Sequence, residues 1–200
     1  MIYDYHVVFA VAGSALGLLS FVFYFRDIFG GTTKPHIFTW IIWTLLTGLT
    51  SLIQFSEGGG AGAWVAGVES LSCLGVAILA YSRGEKNITR IDWICFGAAL
   101  LATGMWLLAD QPLAAVLLII SADALGFAPT FRKSYTKPQE ETVSMYTLSA
   151  SHWIFSIVAL QTLTLTTVLY PAVISLLDLT LVATLFIRRR QLAGPPNIYN

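Results

Sequence analysis

Charged residues make up only 11% of this chain, whereas a soluble domain carries roughly a quarter. So few charges cannot cover a soluble surface. With 56% of its residues hydrophobic, the chain is expected to be a membrane protein. Net charge is zero and there is no basic tract, so nucleic acid is not an expected partner. The two cysteines, Cys73 and Cys95, each lie inside an apolar segment. They read as small hydrophobes, not as a disulfide framework or a CxxC metal site. The opening MIYDYH has no Lys or Arg; it lacks the positive region of a cleavable signal, and the first apolar stretch is expected to remain as a helix. HExxH, GxSxG and a histidine cluster are all missing. Neither an enzyme nor a metal centre nor a cofactor is therefore expected. The last apolar stretch has no lysine for a Schiff base, which excludes a retinal protein.

What the chain does have is long unbroken apolar runs. A bilayer-spanning helix needs about 20 mostly apolar residues. Seven stretches qualify: 6–25, 36–55, 62–82, 91–109, 112–131, 143–161 and 168–187. Runs of this length favour helices over the alternation of a barrel. Every Lys and Arg follows an odd-numbered stretch: Arg26 and Lys34; Arg83, Lys86 and Arg90; Arg132, Lys133 and Lys137; Arg188, Arg189 and Arg190. The other side holds Asp4, Glu57 and Asp110. The positive-inside rule then predicts an outside N-terminus and a cytoplasmic C-terminus, in the cell (inner) membrane. Trp64, Trp93 and Trp106 fall near stretch ends, where tryptophan anchors to the membrane interface. Thr136 with Gln139 fits a capping box, Pro35 and Pro138 fit the first turn of a helix, and Pro171 reads as a helix-start proline.

A repeat organises the chain. Phe25-Arg26 and Thr33-Lys34-Pro35 return as Phe131-Arg132 and Thr136-Lys137-Pro138, with a turn three residues shorter in the second copy. Each copy is a hinge between two apolar segments. The expected fold is an all-α membrane protein with seven transmembrane helices, arranged as two parallel three-helix bundles joined by a linker helix. The first unit is 1–86, the linker helix 87–110, the second unit 111–190 and a cytoplasmic tail 191–200. An odd unit reverses the chain, so one extra helix gives both units the same orientation.

This arrangement resembles the SWEET and PQ-loop transporter superfamily, as a distant, bacterial-type member. The family's signature is a proline near the cytoplasmic end of the first helix of each unit, usually followed by Gln and a basic turn. Here Pro129-Thr130 stands at that place, followed by Arg132-Lys133-Ser134, with Thr130 in place of Gln. The first unit has Phe23-Tyr24 there and no proline. The resemblance implies solute transport by alternating access, with a site between the units. It leaves the substrate open, and it includes receptors that transport nothing.

Four ionisable residues lie deep in apolar stretches: Glu69, Asp123, His152 and Asp178. A charge at the bilayer centre costs about 2.5–3.5 kcal/mol on insertion scales, so each asks for a reason. Glu69 and Asp178 match across the repeat, whereas Asp123 matches Gly17 and His152 matches Leu49. We expect Asp123, His152 and Asp178 to cluster around a protonation site, with Glu69 facing them across a pathway. The bland alternative is structural bonding to a Ser or Thr on a neighbouring helix. Thr47, Thr50, Ser51 and Gln54 form one polar stripe, and Ser149, His152 and Ser156 another. They read either as a hydrophilic lining or as helix packing. Trp40 and Trp43 are candidates to stack on a solute or gate it, and Trp153 is assigned to lipid or packing. Pro129 is a candidate hinge. The leading function is a transporter of a small polar solute, proton-coupled in its fuller form; the alternative is a non-transporting receptor of the same fold. Expected partners are the lipid bilayer and the solute, with further copies of the chain left open.

Overall fold

The computed structural model describes residues 4–106, 108 and 111–193, the side chain of Trp106 excepted. Asp110 and the tail from 194 onward lie outside the described residues. Seven α-helices occur among those described: α1 Tyr5–Phe29, α2 Ile37–Ser56, α3 Gly62–Arg83, α4 Arg90–Trp106, α5 Pro112–Thr136, α6 Val143–Ala159 and α7 Leu165–Leu192. Five of them, α1, α2, α3, α5 and α7, are long and apolar enough to cross a membrane, while α4 and α6 have 17 residues each. Val22, Leu71, Ile78, Ile94, Leu101 and Leu176 point outward, each at least 60% exposed. Exposed apolar side chains on α1, α3, α4 and α7 suit lipid. The chain is an all-α membrane protein.

Helix packing follows the same order in both halves. In the first, α3 packs against both α1 and α2; in the second, α7 packs against both α5 and α6. Across the halves, α1 lies along α6 and α2 along α5. Helix α4 packs on α5 and touches α2.

Several helix boundaries differ from the hydropathy reading. Helices α1, α5 and α7 continue past their apolar stretches, to Phe29, Thr136 and Leu192. The expected capping box at Thr136 and Gln139 does not form. Thr136 ends α5 and its hydroxyl donates back to the carbonyls of Arg132 and Lys133. Pro138 opens a single 3₁₀ turn, Pro138–Glu140, and α6 starts only at Val143. Pro35 precedes the cap residue of α2, His36. The capping box of α7 lies instead at Thr164 and Thr167. Pro171 consequently sits inside α7 and not at its start. A proline there cannot donate to the carbonyl of Thr167. The Nε2 of Gln54, from α2, reaches that carbonyl at 3.4 Å, as neighbouring helices do where a proline frees a backbone group in a membrane.

The basic end is knitted by ion pairs between the two hinges. Lys133 is 1% exposed and pairs with Glu141. Its ammonium also donates to the carbonyls of Lys34, at 2.6 Å, and Glu140, at 3.1 Å. The hydroxyls of Tyr24 and Tyr146 donate to Glu141 Oε2 at 3.3 and 3.1 Å. Thr33 meets Thr142 at 2.7 Å, Thr142 donates to Asp27, and Lys34 pairs with Glu140 at 2.9 Å. Arg132 donates to both carboxylate oxygens of Asp92 in α4, at 3.1 and 2.8 Å. At the opposite end the α2–α3 turn presses on the α6–α7 turn. A Cβ at Gly60, whose φ is +59°, would stand 2.6 Å from the Gln161 side chain, and one at Gly62 would stand 2.9 Å from Leu160.

Glu85 gives this network a pH signature. Burial alone would raise its pKa, but the Lys137 ammonium at 2.9 Å and the backbone N–H groups of Asn87 and Lys86 outweigh it. They hold the Glu85 carboxyl down from 4.5 to about 2. A depressed acid stabilises the fold above its unfolded pKa and loses that contribution as pH falls through the folded one. Melting temperatures of wild type and Glu85→Gln should therefore differ at neutral pH and converge as pH drops from 4.5 toward 2. A constant gap across that window would show that Glu85 contributes nothing through its charge.

Candidate functional site

Five helices line one small cavity. Glu69 and Cys73 of α3 line it, with Trp43 and Thr47 of α2, Asp123 and Phe127 of α5, Ser149 and Trp153 of α6, and Tyr170 and Asp178 of α7. Its volume is about 20 Å³, room for roughly one water. The three carboxyl side chains are buried, at 5%, 1% and 2% exposure for Glu69, Asp123 and Asp178. Counted from its helix start, Asp123 lies about 16 Å along α5 and Asp178 about 20 Å along α7.

Their hydrogen bonding is incomplete. Tyr170 donates to Asp123 Oδ2 at 2.7 Å. Asp123 Oδ1, Glu69 Oε2 and Asp178 Oδ2 have no hydrogen-bond partner among the described residues. A buried polar atom left unpaired is costly, and natural structures keep few of them. Three such oxygens, all on acidic side chains, border one cavity, which makes it the candidate site.

His152 stands directly behind Glu69. Its Nδ1 lies 3.0 Å from the Gly13 carbonyl. A carbonyl only accepts, so Nδ1 carries the hydrogen. Nε2 then faces Glu69 Oε2 at 3.4 Å. Neither atom has a hydrogen-bond partner among the described residues; with one proton between them the groups would be a neutral acid beside a neutral imidazole, or a carboxylate beside an imidazolium. Either way the pair has no net charge.

Glycines of α1 make room for this histidine. A Cβ at Gly17 would lie 2.6 Å from His152 Nδ1 and 3.0 Å from its Cε1. The position that matches Asp123 in the repeat is thus the slot into which the ring of α6 fits. Gly17→Ala should displace the ring from Gly13 and Glu69 and lower stability by about 1–3 kcal/mol, the usual range for overpacking. The additional change His152→Ala should recover most of that loss in thermal unfolding. Full stability in Gly17→Ala alone would mean that the ring is not held there.

The structure brings together Trp43, Thr47, Glu69, Asp123, His152 and Asp178. The expected cluster of Asp123, His152 and Asp178 with Glu69 opposite is rearranged: the histidine pairs with Glu69, and the two aspartates share the cavity with it. Ser51 is turned away, bonding the Ala63 carbonyl at 2.8 Å in the α2–α3 contact. Gln54 is spent on the Thr167 carbonyl. Thr47 donates to the Trp43 carbonyl at 2.6 Å while lining the cavity. Pro129 lies within a continuous α5. Beside it, Thr130 donates to Thr39, and Thr39 donates to the Gly126 carbonyl at 2.8 Å, so this proline borders the contact between α5 and α2.

Two further residues line the cavity. Trp153, assigned to lipid or packing, is packed: it is 1% exposed and meets the Tyr170 ring edge-on at 5.4 Å, and it also borders the cavity. Tyr170 had no sequence signal beyond its place next to Pro171. Trp64 and Trp93 do face outward, at 65% and 59% exposure. Trp40 is fully buried against Tyr24 and Trp43. Among the described residues, no group of three His, Cys, Asp or Glu side chains is close enough to hold a metal ion. Comparison with known proteins finds no matching family model, no matching curated protein and no matching solved structure.

Proposed function

We propose that this protein carries a small polar solute across the cell (inner) membrane by alternating access, with α1–α3 and α5–α7 as two parallel three-helix units and α4 as the joint. In this reading all seven helices span the bilayer, the basic end is cytoplasmic and the proton is the coupling ion. It is the mode of action that the resemblance to SWEET and PQ-loop transporters implies. The observation that carries it is the cavity between the halves, bordered by three buried carboxyl groups with unpaired oxygens. Three further features support it. The packing order of each half is the same, as two equivalent rocking units require. The Glu69–His152 pair can pass a proton without burying net charge. Both ends of the molecule are closed by contacts between the halves, which is the arrangement of an occluded state.

The test is uptake into proteoliposomes, from a panel of labelled sugars, amino acids, nucleosides and amines, with and without an inward proton gradient. Wild type should accumulate one class, faster with the gradient, and Asp178→Asn should lose at least about nine-tenths of that rate, the minimum set by a 1.4 kcal/mol effect. Saturable binding of a solute with no flux under any gradient would contradict transport and favour a receptor of the same fold.

A further inference from the structure

We infer that the solute is a cation, a small amine or quaternary ammonium compound, and that Asp178 is the group that takes its positive nitrogen; the inference rests on the transport reading above. The argument is one of charge accounting around the cavity. Glu69 faces His152 Nε2 at 3.4 Å, a pair that is uncharged with one proton between the two groups, and His152 Nδ1 is committed to Gly13. Asp123 has the Tyr170 hydroxyl as donor to one oxygen. Asp178 has the Ser149 hydroxyl beside it, but among the described residues no basic side chain pairs with it and its Oδ2 has no hydrogen-bond partner. No lysine or arginine borders the cavity. Lys133, the most deeply buried base of α5, is committed to Glu141 at the basic end. A buried carboxyl group takes either a proton or a partner of opposite charge, and for Asp178 the partner would come from outside the chain.

The walls suit a nitrogen cation better than a metal ion. Trp43 and Phe127, with ring centroids 4.5 Å apart, form one side, and Trp153 against Tyr170 forms another. Aromatic faces attract ammonium groups, most strongly when desolvated. The acidic groups are not grouped closely enough to coordinate a metal. The cavity of about 20 Å³ fits one water-sized body, so a solute larger than ammonium or methylammonium needs the cavity to widen.

The test uses isosteric pairs, so that charge alone varies. Choline is compared with 3,3-dimethyl-1-butanol, and ethanolamine with ethylene glycol, in thermal unfolding of the detergent-solubilised wild type and in proteoliposome counterflow. One cation should raise the melting temperature by about 5 °C or more at roughly a hundredfold excess over its Kd, its neutral twin should not, and counterflow should follow the same order. Asp178→Asn should abolish the shift, and Asp178→Glu should retain part of it. The wild-type comparison stands even if a variant fails to fold. A sugar or other neutral solute that stabilises and exchanges while no cation does would overturn the cationic substrate and leave transport intact. No exchange of any solute, charged or neutral, would overturn both.

Discussion

Lys133→Met should be among the most damaging single substitutions in the chain, at about 3–5 kcal/mol. Lys133 and Glu141 are both almost fully buried. Removing the ammonium leaves Glu141 with only the Tyr24 and Tyr146 hydroxyls, leaves the Lys34 carbonyl without its donor, and leaves the Glu140 carbonyl with only the Lys34 N–H at 3.4 Å. Glu141→Leu alone should be similarly costly, because it strands the lysine. The double variant should lose much less than the sum of the two, since replacing both members of a buried pair by apolar groups is often close to neutral. Unfolding of the four proteins in detergent gives the cycle. Additive losses would mean that the two charges do not sense each other. The same contact joins the two hinges of the repeat, so the variants should also favour opening at the basic end.

Asp178→Asn should behave in the opposite way. It removes a buried carboxyl group that has an unpaired oxygen and no basic partner, so its melting temperature should match or exceed that of wild type. Transport should nevertheless fall at least about tenfold, equivalent to 1.4 kcal/mol in the barrier. Asp123→Asn should cost more stability, because the amide must keep its oxygen turned to the Tyr170 hydroxyl or lose that bond, worth about 1 kcal/mol. A cavity that serves only packing would show the reverse order for Asp178, with stability lost and no specific loss of flux. Together these two substitutions separate the groups that hold the halves together from the group that awaits a ligand.

The repeat was the most legible feature of the sequence, because its two hinges keep Phe-Arg and Thr-Lys-Pro in both copies. The depth of Glu69, Asp123, His152 and Asp178 was legible too, since hydropathy locates a charge along a helix. Their mutual arrangement was not. Which acid His152 meets depends on the approach of α6 to α1, and that is set by Gly13 and Gly17, residues that look like ordinary small packing positions in one dimension. Helix ends were misread at the basic side because hydropathy reports bilayer thickness. Arg26 with Asp27 of α1, Arg132 and Lys133 of α5, and Arg188 to Arg190 of α7 lie beyond the apolar stretch yet still in helix. Pro171 misled for a different reason. A proline breaks a helix when its freed carbonyl has no donor, and here Gln54 from the other half supplies one. The polar stripe of α2 divides accordingly: Thr47 borders the cavity, while Ser51 and Gln54 bind backbone carbonyls of α3 and α7.

The most direct test of two alternating halves needs no knowledge of the solute. Spin labels at the exposed positions Thr32 and Gln139 report on the basic end, and labels at Glu57 and Thr162 on the opposite end. Pulsed electron–electron distance measurements in lipid nanodiscs, at pH 5.5 and 7.5 and with Glu141→Gln as a perturbation, should show two populations for each pair. The two ends should move in opposition: where the basic end widens, the other should narrow, and Glu141→Gln should enrich the state open at the basic end. A single unchanging distance at both ends under every condition would contradict the account and leave a rigid seven-helix protein with buried acids.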